Sequence, residues 1–279
     1  MVEISLGSWR QREGHEGVRD AWAASRDLLA AHAMHSFPGR CGLCGSDEGF
    51  VLSESAIHDQ PDLREGLLCV ACRHNARVRA GLRLLLDGVG SLVQPQVYLT
   101  EQVTPAFIWL QRHLRGHLHG SEYEPDAGRR QMLTQRLHLC GGTGEVQFQD
   151  VTRLRFDDAS LDAIGSFDVL EHVPDYRSAI GEFARVLRPG GLLVSTFPFT
   201  DAASTVTRAR LDRDGKIEHL LEPEYHGDPI GGGVLCFYQF GWEVLEDFRA
   251  AGFSDVRMVM PCNFGQGLFY GLWTLVAKR

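Results

Sequence analysis

Four of the seven cysteines have the spacing of metal ligands: Cys41 and Cys44 form one CxxC pair, and Cys69 and Cys72 form another. One tight turn points both sulfurs of such a pair at one ion, and two turns complete the tetrahedron that zinc prefers. The spacing therefore predicts a structural zinc ribbon held by these four cysteines. A closed shell of four thiolates leaves no position for a substrate, so we assign the ribbon no catalysis.

Two alternatives to this ribbon follow from the same residues. His74 lies close enough to replace one cysteine as a ligand. A redox role is the weaker alternative, because nothing resembling thioredoxin surrounds either pair. The other three cysteines, Cys140, Cys236 and Cys262, are scattered along the chain, and we expect them to be small buried apolar residues.

A second set of chemically capable residues stands where predicted strands end: Glu101, Glu122, Asp150 and the run Ser166-Phe167-Asp168. In open parallel sheets, ligands bind beyond the carboxyl ends of the strands. Carboxylates accept hydrogen bonds from a ribose diol and from amino groups, whereas a phosphate would require basic side chains and a glycine-rich loop. The acids therefore favour a sulfonium nucleoside over a dinucleotide or a nucleoside triphosphate.

The elements that must position these acids are strands alternating with helices after Pro95, which predicts a doubly wound, mostly parallel α/β sheet. The predicted strands are 97–99, 117–122, 145–149, 161–166 and 191–196, with 256–260 and 272–277 as a closing antiparallel pair. The predicted helices are 18–34, 75–87, one that begins at Pro105, 176–187 and 242–251.

Composition narrows the class of protein. Of the 279 residues, 44% are hydrophobic and 23% are charged, which is typical of a globular chain and excludes wholesale disorder. No apolar run is long enough to span a membrane and no secretory leader is present, so we expect a cytoplasmic protein without membrane contact. The formal net charge of −8 disfavours attachment to nucleic acid. Arg77, Arg79 and Arg83 nevertheless predict a solvated basic helix face, with contact to RNA or to an anionic substrate as the alternative.

Several segments resemble one family. Residues 156–175 (FDDASLDAIGSFDVLEHVPD), 182–191 (EFARVLRPGG) and 241–253 are similar to motifs of class I S-adenosylmethionine-dependent methyltransferases, in particular those of type 11. The resemblance covers about residues 95–279. It implies a Rossmann-like methyltransferase sheet and S-adenosylmethionine as the cofactor.

By position, the resemblance assigns the acids to the two halves of that cofactor. The implied adenosine contacts are Glu122 on the ribose hydroxyls with Tyr123 beside it, and Asp150 on the adenine amino group with the Val151 backbone along the ring. The implied contacts of the methionine half are Ser166 and Phe167, with Asp168 nearby, while Glu101 takes the place of the acid that ends the first strand.

The loop after Glu101 departs from the family pattern. Residues 102–105 (QVTP) replace its glycine-rich loop, and without glycine a close approach of the backbone to the cofactor is sterically harder. The glycines of residues 139–144 (LCGGTG) lie too near the fourth strand to supply this loop. We predict a flexible turn there instead.

Candidate catalytic residues lie in two places. Methyl transfer is an in-line displacement in which the enzyme positions the nucleophile and, where needed, removes a proton. His172 follows the fourth strand, while Tyr225 and His226 lie in the segment expected to cover the substrate. Glu171, His172 and Asp228 could instead gather a divalent ion. In the same cover, glycines 231–233 could flex as a lid, and Arg208, Arg210 and Arg213 predict either an anionic group on the substrate or an exposed arginine face.

These observations divide the chain into three parts: an N-terminal helical segment (1–36), a zinc-ribbon module (37–80) and an S-adenosylmethionine-binding Rossmann-like domain (81–279) with a substrate cover at about 200–240. The predicted function is methyl transfer to a small-molecule acceptor. The alternatives are an RNA methyltransferase or RNA-binding protein guided by the ribbon, a non-methylating S-adenosylmethionine enzyme, and a non-catalytic cofactor-binding scaffold.

Overall fold

The computed structural model describes residues 2–3, 5–13, 16–31, 36–56, 62–227 and 233–279. The helices are α1 (Leu6–Glu13), α2 (Glu16–Ala31), α3 (Leu63–Gly66), α4 (Ala76–Val89), α5 (Pro105–His113), α6 (Ala127–Leu139), α7 (Tyr176–Val186) and α8 (Val244–Ala250). The strands are β1 (Val2–Glu3), β2 (Ser36–Phe37), β3 (Phe50–Leu52), β4 (Leu67–Cys69), β5 (Gln96–Leu99), β6 (His117–Gly120), β7 (Leu161–Phe167), β8 (Leu187–Thr196), β9 (Val206–Thr207), β10 (Ala209–Leu211), β11 (Ile217–His219), β12 (Tyr225–His226), β13 (Val234–Leu235), β14 (Tyr238–Gln239), β15 (Asp255–Val259) and β16 (Thr274–Lys278).

The central sheet has seven strands in the order β1-β15-β16-β8-β7-β5-β6. Strands β6, β5, β7 and β8 run parallel to one another, whereas β16 is antiparallel to both of its neighbours. The doubly wound, mostly parallel sheet with a closing antiparallel pair is therefore confirmed. The strand predicted at residues 145–149 is wrong, because this segment contributes only a single bridge between Phe148 and Glu122.

Helices cover both faces of the sheet. Side chains alternate between the two faces of a strand, so Val97 and Leu99 of β5 join a cluster with α4, α5 and α6, while Tyr98 joins the cluster that contains α7 and α8. Trp9 of α1 and Val18 of α2 are buried in the second cluster, so both N-terminal helices pack on the central domain. Met34, at the end of that predicted helix, lies outside the described residues.

The cysteine-bearing module is a small antiparallel sheet, β2-β3-β4, that packs directly on the central domain. Arg79 of α4 joins the two parts: its guanidinium lies 4.4 Å from the centre of the Phe50 ring and donates hydrogen bonds to the carbonyls of Gln266 and Gly267. Only 2% of Arg79 is exposed, and Arg83 pairs with Asp87. The predicted solvated basic face is therefore wrong for Arg79, whose charge serves to dock the module.

The described residues between 198 and 240 form short antiparallel strand pairs: β9 with β14, β10 with β11, and β12 with β13. Across the part of the chain that the structure describes, no helix combines the length and the apolar character needed to cross a membrane.

Candidate active site

The four predicted zinc ligands lie together. Their sulfurs all fall within 4.8 Å of one another, and Sγ of Cys44 is 3.7 Å from Sγ of Cys69. All four are free thiols, and the hydrogen bond from Cys72 lowers the pKa of Cys41 to about 4. His74 is buried, and its ring nitrogens have no hydrogen-bond partner among the described residues. It is not part of the cysteine cluster.

Glu101 lies at the carboxyl end of β5, where its side chain is removed from solvent. Burial raises the pKa of Glu101 well above its ordinary value; the charge of Arg77 opposes this increase, while the charges of Glu122 and Asp168 add to it. Its Oε2 accepts a hydrogen bond from the Phe167 backbone at 3.2 Å, while Oε1 of Glu122 accepts one from the Val103 backbone at 2.6 Å. Three acids from the ends of β5, β6 and β7 thus face one another across the edge of the sheet.

We expect Glu101→Gln to stabilise the ligand-free protein at pH 8 by about 1–3 kcal/mol. Because the folded pKa is raised, the wild type loses stability as pH rises above about 4.5, the ordinary value for this carboxyl, and the amide removes that loss. Urea unfolding at pH 4 and pH 8 should show the difference growing with pH, with the exposed Glu145→Gln as the control. A variant less stable than wild type at pH 8 would mean that Glu101 is ionised and that its charge stabilises the neighbouring Arg77.

Two arginines neutralise the third acid of this set, Asp168. Arg64 of α3 binds the Asp168 carboxylate through both oxygens, at 2.9 and 2.7 Å, and Nε of Arg77 lies 3.2 Å from the same group. Burial opposes ionisation of Asp168, but Arg77 and Arg64 outweigh it and lower its pKa to about 2. Arg77 also binds Glu65, so the cysteine-bearing module reaches directly into the edge of the sheet.

A cavity of about 680 Å³ opens beside these groups, within the size range of small-molecule sites. Its charged wall contains Glu101, Asp168, Arg64 and Arg77, and its aromatic wall is formed by Phe167, Phe197, Phe199 and Trp273. The rings of Phe199 and Trp273 meet edge to face with centroids 5.8 Å apart. The three predicted catalytic side chains, His172, Tyr225 and His226, complete the rim.

The structure brings only part of the predicted cofactor set to this cavity. Glu101, Phe167 and Asp168 line it, whereas Glu122 stands behind the loop that follows β5. Asp150 folds back on its own segment, where Oδ1 accepts hydrogen bonds from the backbone and hydroxyl of Thr152. Tyr123 is 71% exposed, and Ser166 is fully buried with its hydroxyl unpartnered among the described residues. Val151, Tyr123 and Ser166 do not appear on the cavity wall.

The glycine-poor loop is held by side chains that point inward. Gln102 is 4% exposed and bonds to Glu145 and Gln147, while Val103 packs in the core and Thr104 caps α5 by accepting from the Phe107 backbone. These bulky side chains therefore point away from the cavity. The turn predicted at residues 139–144 is confirmed, with Gly141 and Gly144 both at a φ of +86°.

A second group of polar side chains surrounds His172. Glu171 is fully buried, its Oε1 lies 3.5 Å from Nδ1 of His226 and 3.7 Å from Nε2 of His172, and Cys236 lies 3.9 Å from His172. Contacts with Cys236 and Glu171 raise the pKa of His226 to about 10. A base role for His226 would therefore require it to lose that proton first. Asp228, the third member of the predicted ion site, lies outside the described residues.

Sequence reasoning missed two of these participants. Nothing local in the sequence connects Arg64 with Asp168, because they are 104 positions apart. Cys236 is buried, as expected, but it contacts a histidine instead of apolar atoms alone. Among the other scattered cysteines, Cys140 is exposed, so its predicted burial is wrong. The cover arginines Arg208 and Arg210 pair with Glu224 and Glu218, away from the cavity wall.

Comparison with known proteins finds similarity to methyltransferases over part of the chain. Residues 107–195 match the family model described as a methyltransferase domain. The chain is 33% identical over 115 residues to a demethylmenaquinone methyltransferase of Mycolicibacterium gilvum (strain PYR-GCK), covering 39% of this chain and 49% of that one. It is 43% identical over 56 residues to the O-methyltransferase cnsE of Penicillium expansum, covering 20% of each chain. It therefore spans less than half the length of these relatives.

Among solved structures, the [4+2]-cyclase SpnF has the same fold, with a TM-score of 0.50 and 16% identity over 99% of this chain and 97% of that one. Residues 107–195 therefore match a methyltransferase domain, and the chain shares its fold with a solved structure, in agreement with the resemblance seen in the sequence.

Proposed function

We propose that this protein transfers a methyl group from S-adenosylmethionine to a small-molecule acceptor. The observation that carries the proposal is the edge of the sheet, where Glu101 and Asp168 face a 680 Å³ cavity with aromatic and imidazole side chains on its other walls. An acidic edge of this kind suits a cationic nucleoside, because carboxylates bind amino and hydroxyl groups.

The residues at this edge fit such a cofactor. Glu101, Glu122 and Asp168 repel one another, so a positively charged group is stabilised among them. In this structure the positive charges are those of Arg64 and Arg77, which pair with Asp168. Glu101 and Asp168 would hold the methionine half, and its carboxylate would reach Arg64 or Arg77 by displacing Asp168 or Glu65 from them. Glu122 and Asp150, with Tyr123 and Val151 beside them, would hold the adenosine half. When bound, the cofactor supplies an electrophilic methyl group.

The acceptor site is inferred from the remaining walls of the cavity. Phe197, Phe199 and Trp273 would pack against a flat or apolar acceptor, and the rim residues His172, Tyr225 and His226 would orient its nucleophilic atom. The described cover arginines do not line the cavity, so an anionic acceptor would have to rely on Arg64 and Arg77.

We further propose that Cys41, Cys44, Cys69 and Cys72 bind one structural zinc ion. The support is the convergence of four free thiols within 4.8 Å, since such a set matches a closed tetrahedral site. The ion would hold together a module with few apolar side chains, and that module delivers Arg64 to the cavity.

Calorimetry with S-adenosylhomocysteine tests the cofactor site. Glu122→Gln keeps an acceptor for the Val103 backbone but removes the charge, so we expect binding to weaken by roughly 1–3 kcal/mol. The exposed Glu145→Gln at the same edge is the matched control and should bind like wild type. Absence of binding by wild type at millimolar ligand would contradict the proposed function.

Turnover and RNA retention separate the remaining alternatives. Binding without methyl transfer to any small acceptor would favour a non-methylating enzyme or a scaffold. Retention on RNA that weakens with salt would favour the RNA alternative, although Arg77 and Arg79, the basic residues that suggested it, are occupied by Glu65, Asp168 and backbone carbonyls.

A further inference from the structure

A buried carboxylate without a hydrogen bond lies beside the cavity. Within the described residues, neither oxygen of Glu171 has a hydrogen-bond partner, and the residue is fully buried. Leaving a carboxylate in this state is costly unless a cation neutralises it, and without a metal ion that cation is the His226 imidazolium, 3.5 Å away. Its nearest polar neighbours are the rings of His172 and His226, which belong to different segments of the chain.

The lone pairs around Glu171 have defined directions. Nδ1 of His172 lies 2.9 Å from the Leu235 carbonyl oxygen, which can only accept, so Nδ1 carries the hydrogen. Nε2 of His172 therefore presents a lone pair on the side of Glu171, 3.7 Å from Oε1. Nδ1 of His226 lies 3.5 Å from the same oxygen. A carbonyl that fixes a ring in this way is the usual support of a metal-binding histidine.

A sulfur completes the group. One ligand atom from each of His172, His226 and Cys236 can be chosen so that all three lie within 4.8 Å of one another. Bonds of about 2.0–2.1 Å to nitrogen and about 2.3 Å to sulfur would place the donors of one tetrahedral ion about 3.3–3.6 Å apart. The 3.9 Å contact of Cys236 with His172 is to Nδ1. The thiol must therefore move towards Nε2 for both groups to bind one ion.

We propose that His172, His226 and Cys236 bind a second metal ion beside the buried Glu171 carboxylate. Imidazole and thiolate donors favour a divalent transition metal of the zinc class over magnesium or calcium. This set shares His172 with the ion site considered from the sequence, but it uses His226 and Cys236 as the other two donors.

The ion would tie two parts of the chain together at the cavity. Glu171 and His172 lie in the turn after β7, whereas His226 and Cys236 belong to the cover, on β12 and directly after β13. Because His172 and His226 line the cavity, the ion would stand in its wall and fix the cover over it. This inference does not depend on methyl transfer.

Metal analysis of tag-free, full-length protein saturated with Zn²⁺ and then passed over a weak chelating resin tests the proposal. We expect two zinc ions per chain in wild type, one in Cys236→Ser, and two in the exposed-cysteine control Cys140→Ser. Far-UV circular dichroism and melting of each variant check that it is folded. If Cys236→Ser does not fold, the wild-type stoichiometry and the His226→Gln variant decide the question.

Two results would overturn the proposal: a wild-type protein that holds one zinc per chain with intact ribbon cysteines, or a folded Cys236→Ser variant that still holds two. Cofactor binding measured in the same samples keeps this outcome separate from a failure of the proposed function, because either can be lost without the other.

Discussion

Replacement of Cys69 by serine is expected to release the proposed ribbon zinc and to unfold the cysteine-bearing module, whose helix α3 carries Arg64. Cys69 is fully buried, and its sulfur lies 3.7 Å from that of Cys44. The module has only a small apolar cluster, and zinc contributes about 10–16 kcal/mol in isolated zinc-finger peptides. The free energy lost with one of the four thiolates should therefore be larger than the stabilisation that the remaining apolar contacts of the module provide.

Zinc content, proteolysis of residues 36–56 and calorimetry with S-adenosylhomocysteine measure this outcome. The cofactor site should weaken with the ribbon, because Arg64 and Glu65 would leave Asp168 and Arg77. Cys140→Ser, in an exposed turn, is the matched control and should retain both zinc and binding. Full zinc and unchanged proteolysis in Cys69→Ser would show that the four thiols do not form a metal site.

Replacement of Asp168 by alanine is expected to lower the free energy of unfolding by about 3–5 kcal/mol, the usual cost of leaving buried charges unpaired. Two guanidiniums, Arg64 and Arg77, share this carboxylate, whose side chain is 16% exposed. Because the folded pKa is lowered to about 2 from the ordinary 3.8, the stabilisation is complete above pH 4 and is lost as pH falls towards 2. Urea unfolding at pH 7 and pH 3 should show this trend.

The matched control is Asp47→Ala. Asp47 also pairs with an arginine, Arg40, at 2.8 Å, but their side chains are 72% and 66% exposed. Such surface pairs contribute about 0–1 kcal/mol. Equal losses in the two variants would mean that the Arg64–Asp168 contact does not hold the cysteine-bearing module on the central sheet.

Local patterns predicted the elements well. Apolar strands followed by acids located β5, β6 and β7, and the spacing of the cysteines located the ribbon, because both features are encoded within a few residues. Residues 145–149 look like a strand by composition. In the structure the Gln102 side chain donates to the Glu145 carbonyl and accepts from the Gln147 backbone N–H. The segment therefore forms only the single bridge of Phe148 with Glu122.

Contacts between distant segments were not predictable in the same way. The ion pair of Arg64 with Asp168 and the approach of Cys236 to His172 depend on how the ribbon and the cover pack on the sheet. Arg77 and Arg79 are an example. The sequence predicts a solvated helix face for them, but in the structure they bind Glu65 and the Gln266 carbonyl. The cysteine spacing predicted a second module, but nothing in the sequence indicated that this module would pack on that helix face.

Gly81 of α4 lies directly under the aromatic floor of the cavity. A methyl group at this position would stand 2.6 Å from the Phe167 ring, so the ring rests against bare helix backbone. Arg77 lies on the same helix, two residues after its N-cap Asn75. Arg77 donates a hydrogen bond to Glu65 of the cysteine-bearing module. The cysteine-bearing module, helix α4 and the aromatic wall of the cavity are thus in direct contact. Binding or loss of the proposed zinc ion would therefore change the shape of the cavity.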